Sequence, residues 1–156
     1  MDLDHAARFT TPEECKPGQF VYIPNDKAFG LKVSASDSER AFVIFQDNRG
    51  ICKYLPSNGF VLAFDNALLV PDYLSARHSH DARGIPFGAL FLDKENEPAL
   101  LAQLGGRYTA IYPKDGSIET NIDLYGIYIL SWKVIIQRRD NEEIFSFAAD
   151  FPEPAF

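Results

Sequence analysis

The sequence lacks most of what announces a reaction. No Gly-rich loop opens a helix beside a lysine, so a phosphate cradle is not signalled. There is no Gly-x-Ser-x-Gly elbow, and neither of the two cysteines, Cys15 and Cys52, sits in a Cys-x-x-Cys. Zinc held by thiolates, or a redox pair, is therefore not indicated. Two isolated thiols favour a reducing cytosol, with a Cys15–Cys52 disulfide left open. A single methionine argues against a Met-rich adaptable groove. No apolar run approaches the roughly 20 residues that span a bilayer. The opening Met-Asp-Leu-Asp-His has none of the charged-then-apolar pattern of a signal peptide. The expectation is a cytoplasmic protein with no membrane association and no cofactor.

Basic charge is scarce as well. The formal net charge is −7, and acids outnumber bases in both halves. DNA and RNA backbones require a basic face, so no nucleic-acid partner is expected. An acidic surface of this size is ordinarily a solubility device, and its functional reading is attraction of a basic protein.

What the chain has is aromatic and β-branched residues in short runs. Thirteen Phe, seven Tyr and ten Pro in 156 residues tilt toward β structure. The richest run is Tyr125–Gln137, with the only tryptophan. One alternate set, Tyr128, Leu130, Trp132, Val134 and Ile136, is wholly apolar. The other, Ile127, Ile129, Ser131, Lys133 and Ile135, is interrupted by polar residues. That alternation predicts one long strand with Trp132 on the core. A polar turn and a second apolar run, Ile144–Ala149, complete a hairpin.

Further strands are expected at Gln19–Ile23, Phe29–Val33, Ala41–Gln46, Ile51–Leu55, Phe60–Phe64, Phe87–Leu92, Tyr108–Tyr112 and Ile118–Leu124, with Ala67–Val70 continuing the fifth. Turn signals separate them at roughly ten-residue spacing, the pattern of a small barrel or sandwich. Residues 1–10 read as a loose arm. Thr11-Pro12-Glu13-Glu14 reads as a capped turn. Glu95–Leu104 reads as a helix, because Leu100, Leu101 and Leu104 share a face and Gly105-Gly106 supplies a stop.

The two halves resemble each other. A shift of 67 positions places Ile44-Phe45 on Ile111-Tyr112, Ile51 on Ile118, Leu55 on Ile122 and Gly59-Phe60 on Gly126-Ile127. Two readings follow. The chain is a duplicated β unit, or two β meanders share apolar alternation and a turn glycine. The expected fold is thus mainly β, a single compact domain of antiparallel strands in a barrel or sandwich. It would hold one or two short helices and two related SH3-like units, 16–70 and 86–150, joined by a connector at 71–85.

Candidate sites are few. His78 and His80, two apart in an extended segment, could meet one metal ion, with Asp81 or Asp72 adding oxygen. The stretch resembles the His-x-His-x-Asp-His of metallo-β-lactamase-type hydrolases. However, Ala82 and Arg83 stand where that pattern needs Asp and His, and the third ligand of a catalytic zinc is missing. The carboxylate pairs Glu13-Glu14, Glu95/Glu97 and Glu142-Glu143 lie in turn contexts and read as solvated. Among the aromatics Phe20, Tyr22, Phe29, Phe42, Phe45 and Tyr54, most are expected in the core. Tyr22, Tyr54, Tyr125 and Tyr128 are the expected exceptions, since a tyrosine can keep its hydroxyl wet. Tyr22 and Tyr54, with the acidic turn residues Asp26, Asp37 and Asp47, form the expected partner surface.

The stretch Lys16-Pro17-Gly18-Gln19-Phe20-Val21-Tyr22-Ile23-Pro24, followed by Phe29–Val33 and Ala41–Phe45, resembles a β-barrel family of polymorphic-toxin immunity proteins, immunity family 26. The resemblance covers residues 16–47. It implies a small non-enzymatic protein that binds and blocks a cognate toxin. The function expected from the sequence is accordingly a non-catalytic protein-binding module of immunity type. The alternatives are a small metal-dependent enzyme using His78 and His80, and an assembly subunit that docks by strand addition.

Overall fold

The computed structural model describes residues 7–36, 38–46, 49–54, 59–79, 85–93, 95–104, 107–120, 122, 126–137 and 140–148, with the side chains of 49–54 and 79 excepted. The first half forms β1 (Ala7–Thr10), β2 (Phe20–Ile23), β3 (Ala28–Lys32), β4 (Ala41–Gln46), β5 (Arg49–Tyr54), β6 (Val61–Phe64) and β7 (Ala67–Pro71). The second forms β8 (Ala76–Ser79), β9 (Leu90–Leu92), β10 (Pro98–Leu104), β11 (Arg107–Tyr112), β12 (Ser117–Glu119), β13 (Gly126–Ile129), β14 (Ser131–Ile136) and β15 (Glu142–Ala148). Two 3-10 turns, Pro12–Glu14 and Tyr73–Ser75, are the helical elements among the described residues. The protein is mainly β, as its composition and alternation indicate. Its twelve-stranded sheet runs as an open path from β1 to β8 rather than closing into a barrel, and a three-stranded sheet, β15-β14-β7, packs with it.

The pairing order of the first half recurs in the second. β1 pairs β6, β6 pairs β2, and β2, β3, β4 and β5 follow as a meander. Likewise β8 pairs β13, β13 pairs β9, and β9, β10, β11 and β12 follow. The registers fix residue equivalences: Ala7 with Ala76, Val21 with Phe91, Leu31 with Leu100, Val43 with Ile111, Ala63 with Tyr128. Backbone bonds outside the ladders agree. Gly18 N donates to Lys32 O (2.8 Å) and Lys32 N to Gln19 O (2.9 Å); Gly88 N donates to Leu101 O (2.6 Å) and Leu101 N to Ala89 O (2.9 Å). Gly18 and Gly88 both need positive φ, 89° and 108°. The halves meet through β7 and β14, which pair antiparallel with Leu69 opposite Val134. They also meet where Gln103 pairs Ile51 in parallel and, at the related place, Ser34 N donates to Gly116 O.

One large core lies between the halves: Phe20, Leu31, Val43 and Phe45 from the first, Leu90, Leu100, Ile111 and Ile129 from the second, with Trp132, Val134 and Phe147. Each half adds a private core on its outer face, around Val21, Phe42, Ile44 and Ala63 in one and Phe91, Leu101 and Tyr128 in the other.

Several expectations need correction. Pro98–Leu104 is a strand, not the end of a helix, because both its faces are covered. Leu100 and Ala102 enter the shared core and Leu101 the private one. A strand buried on both faces reads as an unbroken apolar run, and three leucines then mimic a helical face. Residues 7–10 of the supposed arm are β1, and 76–79 of the supposed connector are β8. The run Tyr125–Gln137 is two strands that part at Leu130, β13 in the large sheet and β14 in the small one. Its apolar set is nevertheless buried throughout, from Tyr128 to Ile136. Tyr128, expected to keep its hydroxyl wet, is buried, whereas Phe20, Phe29, Phe42 and Phe45 are in the core as expected. Ala67–Val70 does not continue β6. Asn66, with φ 58°, turns the chain into the second sheet.

Candidate functional site

The expected site residues fall in separate places. His78 lies on β8 opposite Ile127 of β13, exposed on the surface. His80 and Asp81 lie outside the described residues, as do Asp37, Asp47 and Tyr125, together with the side chain of Tyr54. Among the described residues no group of three His, Cys, Asp or Glu side chains is placed to hold a metal ion. Asp26 sits half-buried in the turn between β2 and β3.

Tyr22 is the expected partner residue that the structure places in a surface. Phe9, Leu62 and Tyr22 stand directly opposite one another across β1, β6 and β2, so their side chains share one face. Phe9 is 71% exposed, Tyr22 38%, and Phe60, just before β6, 63%. The row continues inward to Phe29 and Phe64, which belong to the shared core. The equivalent row of the second half is His78, Ile127 and Leu92. Sequence reading singled out Tyr22 and His78 for unrelated reasons; the registers put them at opposite ends of equivalent rows. Phe9 was missed because the four-residue edge strand β1 offers too little alternation to be seen, and without β1 nothing singled out Leu62 on the expected strand beside it.

The only buried charge among the described residues is Lys32, and it is structural. Its ammonium donates to Pro12 O (2.7 Å) and to Glu39 O, and lies 5.0 Å from the centre of the Phe42 ring. Burial holds it below the ordinary lysine range, partly opposed by Cys15, Glu13 and Glu39. Burial pushes the Cys15 thiol beside it up to about 11, with Lys32 and Arg8 pulling the other way. The thiol is therefore protonated near neutral pH and is no nucleophile. It is also free rather than disulfide-bonded. Arg40 bonds Glu13 and closes the same segment.

The carboxylates act as braces. Asp93 accepts from the backbone N–H of Glu95 (2.9 Å) and Glu97 (2.8 Å) and from the Tyr112 hydroxyl (3.3 Å). The bonds from Glu97 and Glu95 hold its carboxyl below the usual range. Burial, helped by Asp93 and Glu119, pushes the Tyr112 hydroxyl up to about 12. Glu14 accepts from Thr10, and Glu97 pairs with Lys114 at 3.6 Å. These are turn contacts.

A groove of about 280 Å³ opens beside β7, lined by Gly18, Phe20, Ala67, Leu69, Pro98 and Pro113, with the charged Glu97 and Lys114 also in its wall. A second hollow of about 230 Å³ shares Gly18, Phe20 and Ala67 with it. Compared with protein-family models, with curated proteins and with solved structures, the chain matches none. None of the described helical elements is long and apolar enough to cross a membrane.

Proposed function

We propose that this chain is a non-catalytic protein-binding module whose partner is a basic protein, of the kind an immunity-type inhibitor neutralises. The observation that carries the reading is the row Phe9–Leu62–Tyr22 with Phe60. A contiguous exposed apolar patch rimmed by polar residues is the usual mark of a protein interface. Aromatics of this sort supply contact area at low conformational cost. The net charge of −7 supplies the complement to a basic surface, which acts mainly on association rate and specificity. The resemblance of residues 16–47 to the immunity family points the same way. The recurring pairing order supports the related reading that the chain is a duplicated β unit.

The test is capture from the native cell with the wild-type chain and with a Phe9→Ser, Tyr22→Ser variant. The expected result is a basic protein retained by the wild type and released by the variant. Its association should slow as salt rises to physiological strength, where charges are screened beyond about 8 Å. Replacing Asp26 by Asn should lower the on-rate without unfolding the chain. Retention of the same proteins by both forms, or an acidic partner indifferent to salt, overturns the reading. A stoichiometric zinc in the purified protein would instead favour the enzyme built on His78 and His80.

A further inference from the structure

The equivalence of the two halves exposes one asymmetry with a functional consequence. Leu69 and Val134 face each other at the centre of the β7–β14 pair, so a pseudo-twofold relation exchanges the two strands. Ala67 then corresponds to Trp132, and the pairs Ala67–Ile136 and Trp132–Pro71 are images of each other. β14 has β15 on its outer edge. Among the described residues β7 has no strand on its outer edge.

β15 does more than extend the sheet. Phe147 stands opposite Trp132 and Phe145 opposite Val134, and both rings drop into the core. Phe147 stacks on Trp132 at 5.3 Å and fills the space at Gly88, where an added Cβ would lie 2.4 Å from its ring. Phe145 stacks on Phe29 at 4.4 Å and packs against Phe45 at 5.4 Å. The two rings thus occupy a niche bounded by Gly88, Trp132, Phe29 and Phe45, in the core cluster that also holds Leu90. Carried across the pseudo-twofold, those residues become Gly18, Phe20, Ala67, Pro98 and Pro113. All five line the groove beside β7, together with Leu68, Leu69 and the ion-paired Glu97 and Lys114. Among the described residues, the groove is the unfilled image of the niche that β15 fills.

The backbone is ready to pair. Asp72 N donates to Ser131 O (2.9 Å) and Gln137 N to Asn66 O (3.3 Å), which fixes the alternation along β7. The peptide groups of Leu68 and Val70 point toward β14, and those of Ala67 and Leu69 point to the outer edge. Pro71, which has no N–H to offer, stands at the strand's end, where an edge tolerates it.

We propose that the outer edge of β7 and the adjoining groove receive an extended segment of a partner protein. The segment pairs antiparallel with β7 and inserts large apolar side chains, at alternate positions, opposite Ala67 and Leu69. The occupant is a strand of Phe-x-Phe character, because the same frame already holds one in its other niche. Main-chain bonds supply affinity and the alternate side chains supply specificity, as in other strand-addition interfaces. This surface is separate from the Phe9–Leu62–Tyr22 row and does not depend on it.

The test uses a labelled peptide with the sequence Glu142–Ala148 and a control peptide in which both phenylalanines are serine, each added to the intact chain. The expected result is saturable binding of the first peptide only. Amide exchange at Ala67 and Leu69 should slow on binding. Ala67→Asp should weaken binding by about tenfold or more, because it puts an ionised side chain where a phenylalanine ring has to seat. Phe9→Ser should leave the affinity unchanged. Equal binding of the two peptides, no binding, or protection at β1 or β8 instead overturns the proposal. So does release of β15 in place of protection of β7. If the chain alone protects Ala67 and Leu69 as its concentration rises, the occupant is a second copy and the partner assignment falls.

Discussion

The two private cores show how one frame can be closed in two chemically different ways. In the first half the position at the end of β3 is Lys32, and the equivalent position in β10 is Leu101. The covering residue changes with it: Cys15 in the first half corresponds to Ile85 in the second. Lys32 holds its covering segment by donating to Pro12 O and Glu39 O. In the second half, among the described residues, the Tyr108 hydroxyl donates to Ile85 O, 2.6 Å, over an apolar floor. The backbone bonds beneath are the same in both. The strand frame therefore does not depend on what fills its outer face. A buried cation suffices where carbonyls converge on it, and packing suffices where they do not.

The comparison can be broken at its most asymmetric point. Trp132→Ala makes β14 resemble β7, which has Ala67 at the equivalent place. Trp132 is nearly fully buried, stacks on Phe147 and donates to Gly88 O at 2.8 Å. Its removal should cost about 3–5 kcal/mol in urea unfolding, the usual loss for a large buried aromatic. A near-neutral result would mean that the two niches are alike without the ring.

A smaller effect is expected from Lys32→Leu, which gives the first half the second half's residue. The apolar part packs, but the carbonyls of Pro12 and Glu39 lose their donor. The cost should be about 1–3 kcal/mol, measured by denaturant midpoint, with the amides of residues 13–14 and 38–40 exchanging faster. Stabilisation instead would show that the carbonyls find water at no cost.

The smallest effect concerns Cys15. Burial holds its folded-state pKa at about 11, above the ordinary thiol value of about 9. A raised pKa contributes stability that is present below the unfolded value and lost as pH climbs through the folded one. Wild type should therefore lose stability relative to Cys15→Ala between about pH 9 and 11, read as a narrowing gap in melting temperature. A pH-independent gap would mean that the thiol is more open to water than its burial implies.

How much of this was legible in the sequence depended on which faces each strand buries. β14 was visible because Trp132, Val134 and Ile136 alternate with Ser131 and Lys133, and only one face is dry. β10 was misread because Leu100 and Leu101 serve two cores at once, which erases the period of two. The half-to-half match was read at a single shift of 67, but the registers set Val43, not Ile44, on Ile111. The offset is not constant, since the loops differ in length: it is 69 between Ala7 and Ala76, 70 between Val21 and Phe91, 68 between Val43 and Ile111 and 65 between Ala63 and Tyr128. Only registers could recover it, and with it the relation between Phe147 and the groove. The surface row escaped for another reason. β1 and β8 share Ala-Arg at their starts, Ala7-Arg8 and Ala76-Arg77, but two matched residues in segments read as an arm and a connector carried no weight.

The account rests on the central pair of strands that relates the halves, and cross-strand proton contacts test it most directly. The alternation of bonds along β7 makes Ala67–Ile136, Leu69–Val134 and Pro71–Trp132 the non-hydrogen-bonded pairs, whose Cα atoms approach to about 4.5 Å. Solution NMR should show strong Hα–Hα contacts for these three pairs and none for Leu68–Ile135 or Val70–Lys133. Contacts displaced by one residue, or β7 paired with any strand other than β14, would contradict the pseudo-twofold and with it the assignment of the open groove.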